Sequence, residues 1–414
     1  MKTLSQELQW RGFVNQTTFK NIEELDAGSI NFYLGVDPSA SSMTIGNLAA
    51  IILVGHFIDH GHKATLLVGG ATGIIGDPDG KAEERKLKTL EEIEQNKKNI
   101  AKQYAQILGS ENFVLVDNYE WFKDIGYLDF LRNVGKHVPM RQMLSRDFIK
   151  TRLDEDGSGI SYAEFSYVLL QAYDFWYLNK TKDITLQLCG SDQWGNSIAG
   201  VDLIRRLSGK ETNVFTTPLV INKSTGKKFG KSEEGAIWLD DKLTSVYKFY
   251  QFWLNLGDDG VEDYLKIYTL LSEEQIEEVI TEFNKDRSKR HAQKTLAFEV
   301  TNLVHGKERA ESVKRITEVL FGGANYNELS TEDFKELSSE LPIVRYTKQP
   351  LVDILVEGKL AGSKGEARRF LEAGAVYING EKSNGETYIS DSQFINDYLL
   401  VRRGKNNQIL VKNN

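Results

Sequence analysis

The sequence predicts an α/β protein on a Rossmann-like, doubly wound parallel sheet, and three observations carry that expectation. Short apolar runs recur at 31–36, 64–69, 112–117, 184–189 and 217–221, each the length of a strand. Helical patterns at 47–60, 90–108 and 199–207 lie between them, and strands alternating with helices make a parallel sheet. Gly-rich turns fall in 33–50, 69–81 and 189–196, at the strand ends where such sheets bind ligands. Their convergence on one crevice says more than any one of them.

Each element follows from its residues. In 33–50, YLGVDPSASSMTIGNLAA, apolar residues lead into Gly35, a polar loop follows, and Thr44-Ile45-Gly46-Asn47 opens an apolar helix. A helix N-terminus offers free N–H groups and a partial positive charge, which suits a phosphate, and Gly46 lets a ligand approach the backbone. Alone, this is equally the pattern of an ordinary strand–loop–helix turn. A largely helical insertion, about 119–183, separates the third and fourth strands. From 240 to 322 no strand is evident, and 242–255, 272–285, 289–305 and 310–321 read as helices.

A third composition begins near Gln349. From Tyr346 onward there are ten Lys+Arg against eight Asp+Glu, whereas the rest of the chain has 41 against 51. In SKGEARRFLEAG, Ser363 and Glu366 form a capping box and Gly374 is a fitting C′ stop. Lys364 and Arg368 then share a helix face beside Arg369, with Phe370 and Leu371 turned to a core. VYING follows as strand and turn, and Arg402 and Arg403 add charge in the tail. A small basic fold of this kind reads either as an RNA module or as a solvated charged face. The expected divisions are a sheet domain over 1–225, a lysine loop and helical domain over 226–330, a linker over 331–348, and the basic domain over 349–414.

Composition bounds the possibilities. A chain of 414 residues, 40% hydrophobic, is two or three domains with a sizeable core. No apolar run approaches the ~20 residues that span a bilayer, and MKTLSQELQWRG has neither a signal core nor transit character. One cysteine, Cys189, excludes an internal disulfide framework and fits a reducing, cytoplasmic setting. A net charge of −8 argues against indiscriminate coating of nucleic acid, so RNA contact must use local basic patches.

Two patterns mislead. DEDGSGISYAEF (154–165) looks like a calcium loop, but Glu164 falls at position eleven and Ile160 at seven, one residue out of phase with an EF-hand. His56, His60 and His62 have a spacing a metal could use, yet lack an obvious further ligand, and a helix C-terminus favouring positive charge accounts for them. No protein-bound metal is expected.

Lys227-Lys228-Phe229-Gly230-Lys231-Ser232 follows the last strand, and lysines on a Gly-containing loop can close over a polyphosphate. A bare KxxKS is common and equally a solvated turn. In combination, however, the chain resembles class I aminoacyl-tRNA synthetases, and specifically the bacterial tyrosyl-tRNA synthetases, from end to end. The resemblance runs through LQWRG, YxGxDPxAxSxxIGN, VGGATGxIGDPxGK, EFSYxxLQAYDF, GSDQWGN, KFGKSExGxIWLD, AQKTLAxEVTxLVHG and SKxxARxxxxxGAVYING.

The resemblance implies a Rossmann catalytic domain, an all-α anticodon-side domain and a small α+β RNA-binding domain of ribosomal-protein type. It implies a homodimer paired through the insertion, with tRNA(Tyr) lying across both subunits. Tyrosine would attack ATP to give tyrosyl-adenylate, with Mg²⁺ accompanying ATP. Lys228 and Lys231 would grip the triphosphate, Lys81 and Arg85 the pyrophosphate side, and Thr72 would add a hydroxyl. Tyr33 and Asp174 match the pair facing the substrate phenol; Tyr167, Gln171 and Asp77 match the ammonium cradle, with Gln193 near the carboxylate. Gly35, Asp37, Gly46, Asn47, Gly190 and Asp192 would lie along the adenylate, Asp192 toward the ribose. Lys364, Arg368, Arg369, Arg402 and Arg403 are the expected RNA contacts. The family's helix motif usually begins with His; here Thr44 stands there, and Asn47 keeps the second donor. Tryptophan specificity is disfavoured because Tyr33 and Asp174 suit a phenol. A synthetase-derived RNA-binding protein without catalysis would be expected to have eroded the lysine loop and pocket.

Overall fold

The computed structural model describes residues 2–413 except 79–87, 145–146, 155–156, 158, 224–225, 227–228, 230, 233–234, 322–324, 384–387 and 405–406. The chain forms two compact units, one of residues 1–243 with 257–292 and the other of 244–256 with 293–414.

In the first unit five parallel strands stand in the order β3-β2-β1-β4-β5. They are β1 (Asn31–Val36), β2 (Lys63–Val68), β3 (Phe113–Asp117), β4 (Leu186–Gly190) and β5 (Asn213–Thr217). The chain winds outward from β1 in both directions, so the switch point lies between β1 and β4. A ligand crevice is expected there, beyond the carboxyl ends. The fifth strand sits four residues earlier than the 217–221 expected from apolarity. Pro218 has no N–H for a ladder and ends the strand, and the apolar LVI beyond it lies outside.

Six helices matter for the site or its support: α1 (Leu4–Arg11), α2 (Ile45–Asp59), α3 (Gly70–Ile75), α4 (Leu90–Leu108), α5 (Tyr162–Lys182) and α6 (Trp194–Ser208). Helix α2 is nearly all apolar and buries residues around its whole circumference, as a helix covered on every side must. α4 buries one stripe, Ile93, Asn96, Ile100 and Tyr104, and leaves its charged face in water. Arg11 at the end of α1 is buried and donates to the carbonyls of Lys266, Thr269 and Leu271 at 2.7, 3.0 and 2.7 Å. Lys266 is in the last turn of the helix Val261–Tyr268 and Thr269 is its C-cap, so Arg11 caps that helix end and ties down the chain just beyond it.

The insertion folds as short helices, Tyr119–Phe122, Tyr127–Asn133, Met140–Leu144 and Asp147–Leu153, followed by α5. Glu164, the residue that made 154–165 resemble a calcium loop, is used otherwise. It takes a bidentate pair from Arg152 at 3.1 and 2.9 Å, and both side chains are buried. Among the three histidines, His62 Nδ1 accepts from the Ile30 N–H at 3.1 Å. Burial, with Arg11 and His60 adding to it, lowers the pKa of His56 to about 3, so it stays neutral.

In the second unit a sheet of order β10-β9-β11-β12-β8 packs on the helices Leu351–Glu357 and Lys364–Glu372. Its strands are β8 (Ile343–Arg345), β9 (Val376–Ile378), β10 (Glu381–Lys382), β11 (Tyr398–Arg403) and β12 (Asn407–Lys412); the pair β6 (Lys231–Ser232) and β7 (Gly235–Ala236) belongs to the first unit. Residues 331–348, expected as a linker, are structured. Thr331–Ser338 is a capped helix whose Phe334 and Leu337 are buried, and β8 pairs in parallel with β12. Short, polar TEDFKELS hides its two core residues, and three-residue β8 gains its stability from the partner strand. The capping box expected at Ser363 is half formed. Ser363 accepts from the Glu366 N–H at 3.2 Å, but the Glu366 carboxylate takes the Gly362 N–H at 2.6 Å.

Candidate active site

A cavity of about 340 Å³ opens at the switch point. Its lining includes Tyr33, Gly35, Asp37, Thr44, Gly46, Asn47, Thr72, Asp77, Tyr167, Gln171, Asp174, Gly190, Asp192 and Gln193. These are the residues expected from three separate sequence stretches and from α5. Lys81, Arg85 and Lys228 lie outside the described residues, as does the side chain of Lys231. None of the described lining residues is Lys or Arg, whereas four are aspartates.

The inner end is a continuous hydrogen-bonded chain. Tyr167 Oη donates to Asp37 Oδ2 at 2.8 Å, and Thr72 Oγ1 donates to Asp37 Oδ1 at 2.6 Å. The Asn118 NH₂ divides its two protons between Thr72 Oγ1 and Asp174 Oδ2, both at 3.0 Å. Trp121 Nε1 donates to Asp174 Oδ1 at 2.9 Å. Burial raises the Asp174 pKa to about 8, against the lowering effect of Asn118 and Trp121. The same burial lifts the phenols of Tyr33 and Tyr167 well above their usual value, so both remain donors. Gly69 is required here, because a Cβ would collide with both Thr72 Oγ1 and Asp37 Oδ1.

Three buried polar atoms on this cavity have no hydrogen-bond partner among the described residues: Tyr33 Oη, Gln171 Oε1 and Gln187 Oε1. Leaving such an atom unpaired costs ~1–3 kcal/mol, so a ligand that supplied the missing bond would gain by it. Gln187 stands opposite Tyr33 in the β1–β4 register and therefore on the same sheet face.

At the outer end Thr44 caps α2. Its N–H and hydroxyl both donate to Asn47 Oδ1, at 2.9 and 3.0 Å, so the Asn47 carboxamide offers its NH₂ to an acceptor. The helix start is tied down by Ile45 N–H to Ile237 O at 3.1 Å and Leu239 N–H to Met43 O at 2.9 Å. Gln193 donates to Asp77 Oδ2 at 2.6 Å and accepts from Asn196 at 2.8 Å, which fixes both amide ends. Phe229 of the lysine loop is buried, stacked on Tyr264 with centroids 4.6 Å apart.

The remaining expected residues are elsewhere, in the second unit. Arg368 and Arg369 are exposed on the helix Lys364–Glu372, and Lys364 pairs with Asp353 at 2.6 Å. On β11, Arg402 lies over the Tyr377 ring at 4.6 Å and Arg403 over Phe370 at 4.8 Å. Sequence reading missed Asn118, Trp121 and Gln187. The signal for Asn118 was its place directly after β3, at a carboxyl end of the sheet.

The fold and the cavity agree with the class of protein that comparison with known families gives, the class I aminoacyl-tRNA synthetases. The family model described as tRNA synthetases class I (W and Y) matches residues 25–322, and that of the tyrosine–tRNA ligase SYY-like C-terminal domain matches 333–411. The tyrosine–tRNA ligase 1 of Streptococcus thermophilus (strain CNRZ 1066) is 44% identical over 420 residues, covering 99% of each chain. That of Klebsiella pneumoniae (strain 342) is 44% identical over 419, covering 99% of this chain and 98% of its own. A C-terminally truncated mitochondrial tyrosyl-tRNA synthetase from Aspergillus nidulans superposes with a TM-score of 0.69 at 31% identity, over 78% of this chain and 95% of that one. The chain belongs to the tyrosine–tRNA ligase family.

Proposed function

We propose that the chain joins L-tyrosine to tRNA(Tyr) through tyrosyl-adenylate. The observation that carries this is the unpartnered Tyr33 hydroxyl on the same buried pocket as Asp174, a pair that a phenol hydroxyl can bridge. A tyrosine carboxylate oxygen attacks the α-phosphate of ATP, the bond to the β-phosphate breaks, and pyrophosphate leaves. A ribose hydroxyl of the terminal adenosine of tRNA then attacks the carbonyl and AMP departs. The carboxylate is already a nucleophile, so the first step needs alignment and charge stabilisation rather than a base.

The Asn47 NH₂ and the α2 N-terminus supply neutral donors on the phosphate side. Lys228, Lys231, Lys81 and Arg85 are assigned to the triphosphate by their places in the family's motifs. Gln171, Tyr167 and Asp77 are assigned to the substrate ammonium, Gln193 to its carboxylate, and Gly35, Asp37, Gly46, Gly190 and Asp192 to the adenylate. Mg²⁺ fits as a companion of the phosphates. The carboxylates of Asp37 and Asp77 already accept protein hydrogen bonds.

A homodimer is supported by the insertion, where Tyr127, Leu128, Met140 and Tyr162 expose large apolar side chains. Edge strand β3 adds exposed Val114 and Leu115, while the opposite edge, β5, is covered by residues 15–18. Arg368, Arg369, Arg402 and Arg403 are assigned to tRNA and Lys364 to the same face. A cytoplasmic location suits a translation enzyme, and among the described residues no helix is long and apolar enough to cross a membrane. Tyrosine-dependent ATP–pyrophosphate exchange is the test; folded protein without exchange would sink the proposal.

A further inference from the structure

The loop from Asp37 to Thr44 joins the two ends of the cavity, yet it has almost no regular structure of its own. Its one internal backbone bond is Ser39 N–H to Asp37 O at 2.7 Å. A stretch of small polar residues left free would lose ~1–2 kcal/mol of entropy per residue on becoming fixed. What fixes it is one face of α4. Asn96 donates to Pro38 O at 3.0 Å, and Asn99 donates to Ser41 O at 3.0 Å. Gln103 does two things: Oε1 accepts the Met43 N–H at 2.9 Å and Nε2 donates to Ser42 Oγ at 2.7 Å. The three side chains stand at spacings of three and four, so they form one row along the helix.

Ser42 is where a second support arrives. Its hydroxyl accepts the Asp240 N–H at 3.1 Å and donates to Met43 O at 2.8 Å, and Met43 O also takes the Leu239 N–H. Ser42 is buried, so each of these bonds is costly to leave open. The segment 237–240 therefore grips the loop from one side and α4 from the other, directly before the cap Thr44. Ser42 belongs to the motif at the start of the helix, whereas Asn96, Asn99 and Gln103 belong to none, and beyond the joint Thr44, Gly46 and Asn47 line the cavity.

We propose that Asn96, Asn99 and Gln103 are positioning residues for adenylation, with Gln103 the principal one, holding Met43 and Ser42 so that Thr44, Asn47 and the α2 N-terminus meet the phosphates at the right place. This rests on the reading of the cavity as an adenylation site. A small displacement of aligned reacting groups costs as much as ~10²-fold in rate. Gln103→Leu keeps the side-chain size and removes both bonds. Gln103→Glu keeps the acceptor for Met43 N–H and lets the Ser42 hydroxyl rotate to donate.

The experiment pairs steady-state pyrophosphate exchange with hydrogen–deuterium exchange on the full-length protein. Gln103→Leu is expected to lower kcat by ~10–100-fold and to raise KM for ATP. It should leave KM for tyrosine within about twofold and speed amide exchange in 38–47; Gln103→Glu should recover most of kcat. Unchanged amide exchange in 38–47, or equal damage to tyrosine and ATP parameters without rescue by Glu, overturns the proposal. If the wild type itself shows no tyrosine-dependent exchange, the functional reading fails. The amide-exchange arm then still decides whether Gln103 holds the loop.

Discussion

The two ends of the cavity hold their polar groups in different ways. At the Asp174 end the carboxylate is wholly buried, and its partners Asn118 and Trp121 come from the segment that follows β3. Packing and hydrogen bonds fix Asp174 before a ligand arrives, while the Tyr33 hydroxyl is left without a partner. At the Thr44 end the donors sit on a helix start reached through an irregular loop, which side chains of α4 and the backbone of 237–240 hold in place. A site that must tell a phenol from a phenyl ring gains from rigid, partly unsatisfied polar atoms, because the wrong ligand leaves them unpaired. A site that must align a triphosphate needs its donors in register, and here bonds from neighbouring segments hold an otherwise irregular loop there.

That contrast can be broken first at Asn118. Asn118→Ala removes donors to both Thr72 and Asp174 in a buried position. KM for tyrosine should rise ~10-fold or more, since an orphaned buried group costs ~1–3 kcal/mol. KM for ATP should stay within about twofold in the same exchange assay. Equal loss on both substrates would show that the two ends are not separate.

Next is the titration of Asp174. Its folded pKa, about 8, lies above the ordinary 3.8, so the folded state holds a proton that the unfolded chain releases. The associated stability is whole below about pH 4 and is lost as pH rises through about 8. The difference in Tm between wild type and Asp174→Leu should therefore move against the wild type from pH 5 to pH 8. A difference that stays flat would place the carboxylate in a far more polar setting.

Gln187→Leu should separate fit from function. Removing an amide whose buried Oε1 has no partner is expected to leave Tm unchanged or higher, while tyrosine binding weakens several-fold. Thermal melts and tyrosine titrations read the two effects independently. The smallest effect is expected at Thr44, whose hydroxyl already serves Asn47. Thr44→Ala should cost less than the ~10²-fold typical of a lost transition-state donor. Unchanged adenylation rates in both Thr44→Ala and Thr44→His would remove any catalytic role for position 44.

Much of this was legible in the residues, and the exceptions have physical causes. The first four strands follow from apolar runs, with ends shifted by up to two residues, and the Gly-rich turns mark the crevice. The fifth strand was displaced because apolarity continues past Pro218 while hydrogen bonding does not. Helix Thr331–Ser338 and β8 were taken for linker because short elements draw their stability from neighbours far away in sequence. The described motif residues line the cavity as expected, and the residues that hold them were not expected. Asn118 reaches Asp174 across 56 positions and Gln103 reaches Met43 across 60, and nothing local in sequence encodes either pairing.

The central claim is that Asp174 and Tyr33 choose a phenol. Its most direct test is the ratio of kcat/KM for tyrosine to that for phenylalanine in ATP–pyrophosphate exchange by the wild-type chain. Tyrosyl-tRNA synthetases are the standard example of such rejection, at ~10⁵-fold without editing, and this chain is expected to match them. A ratio near ~10, the scale of a purely apolar pocket, would contradict the account.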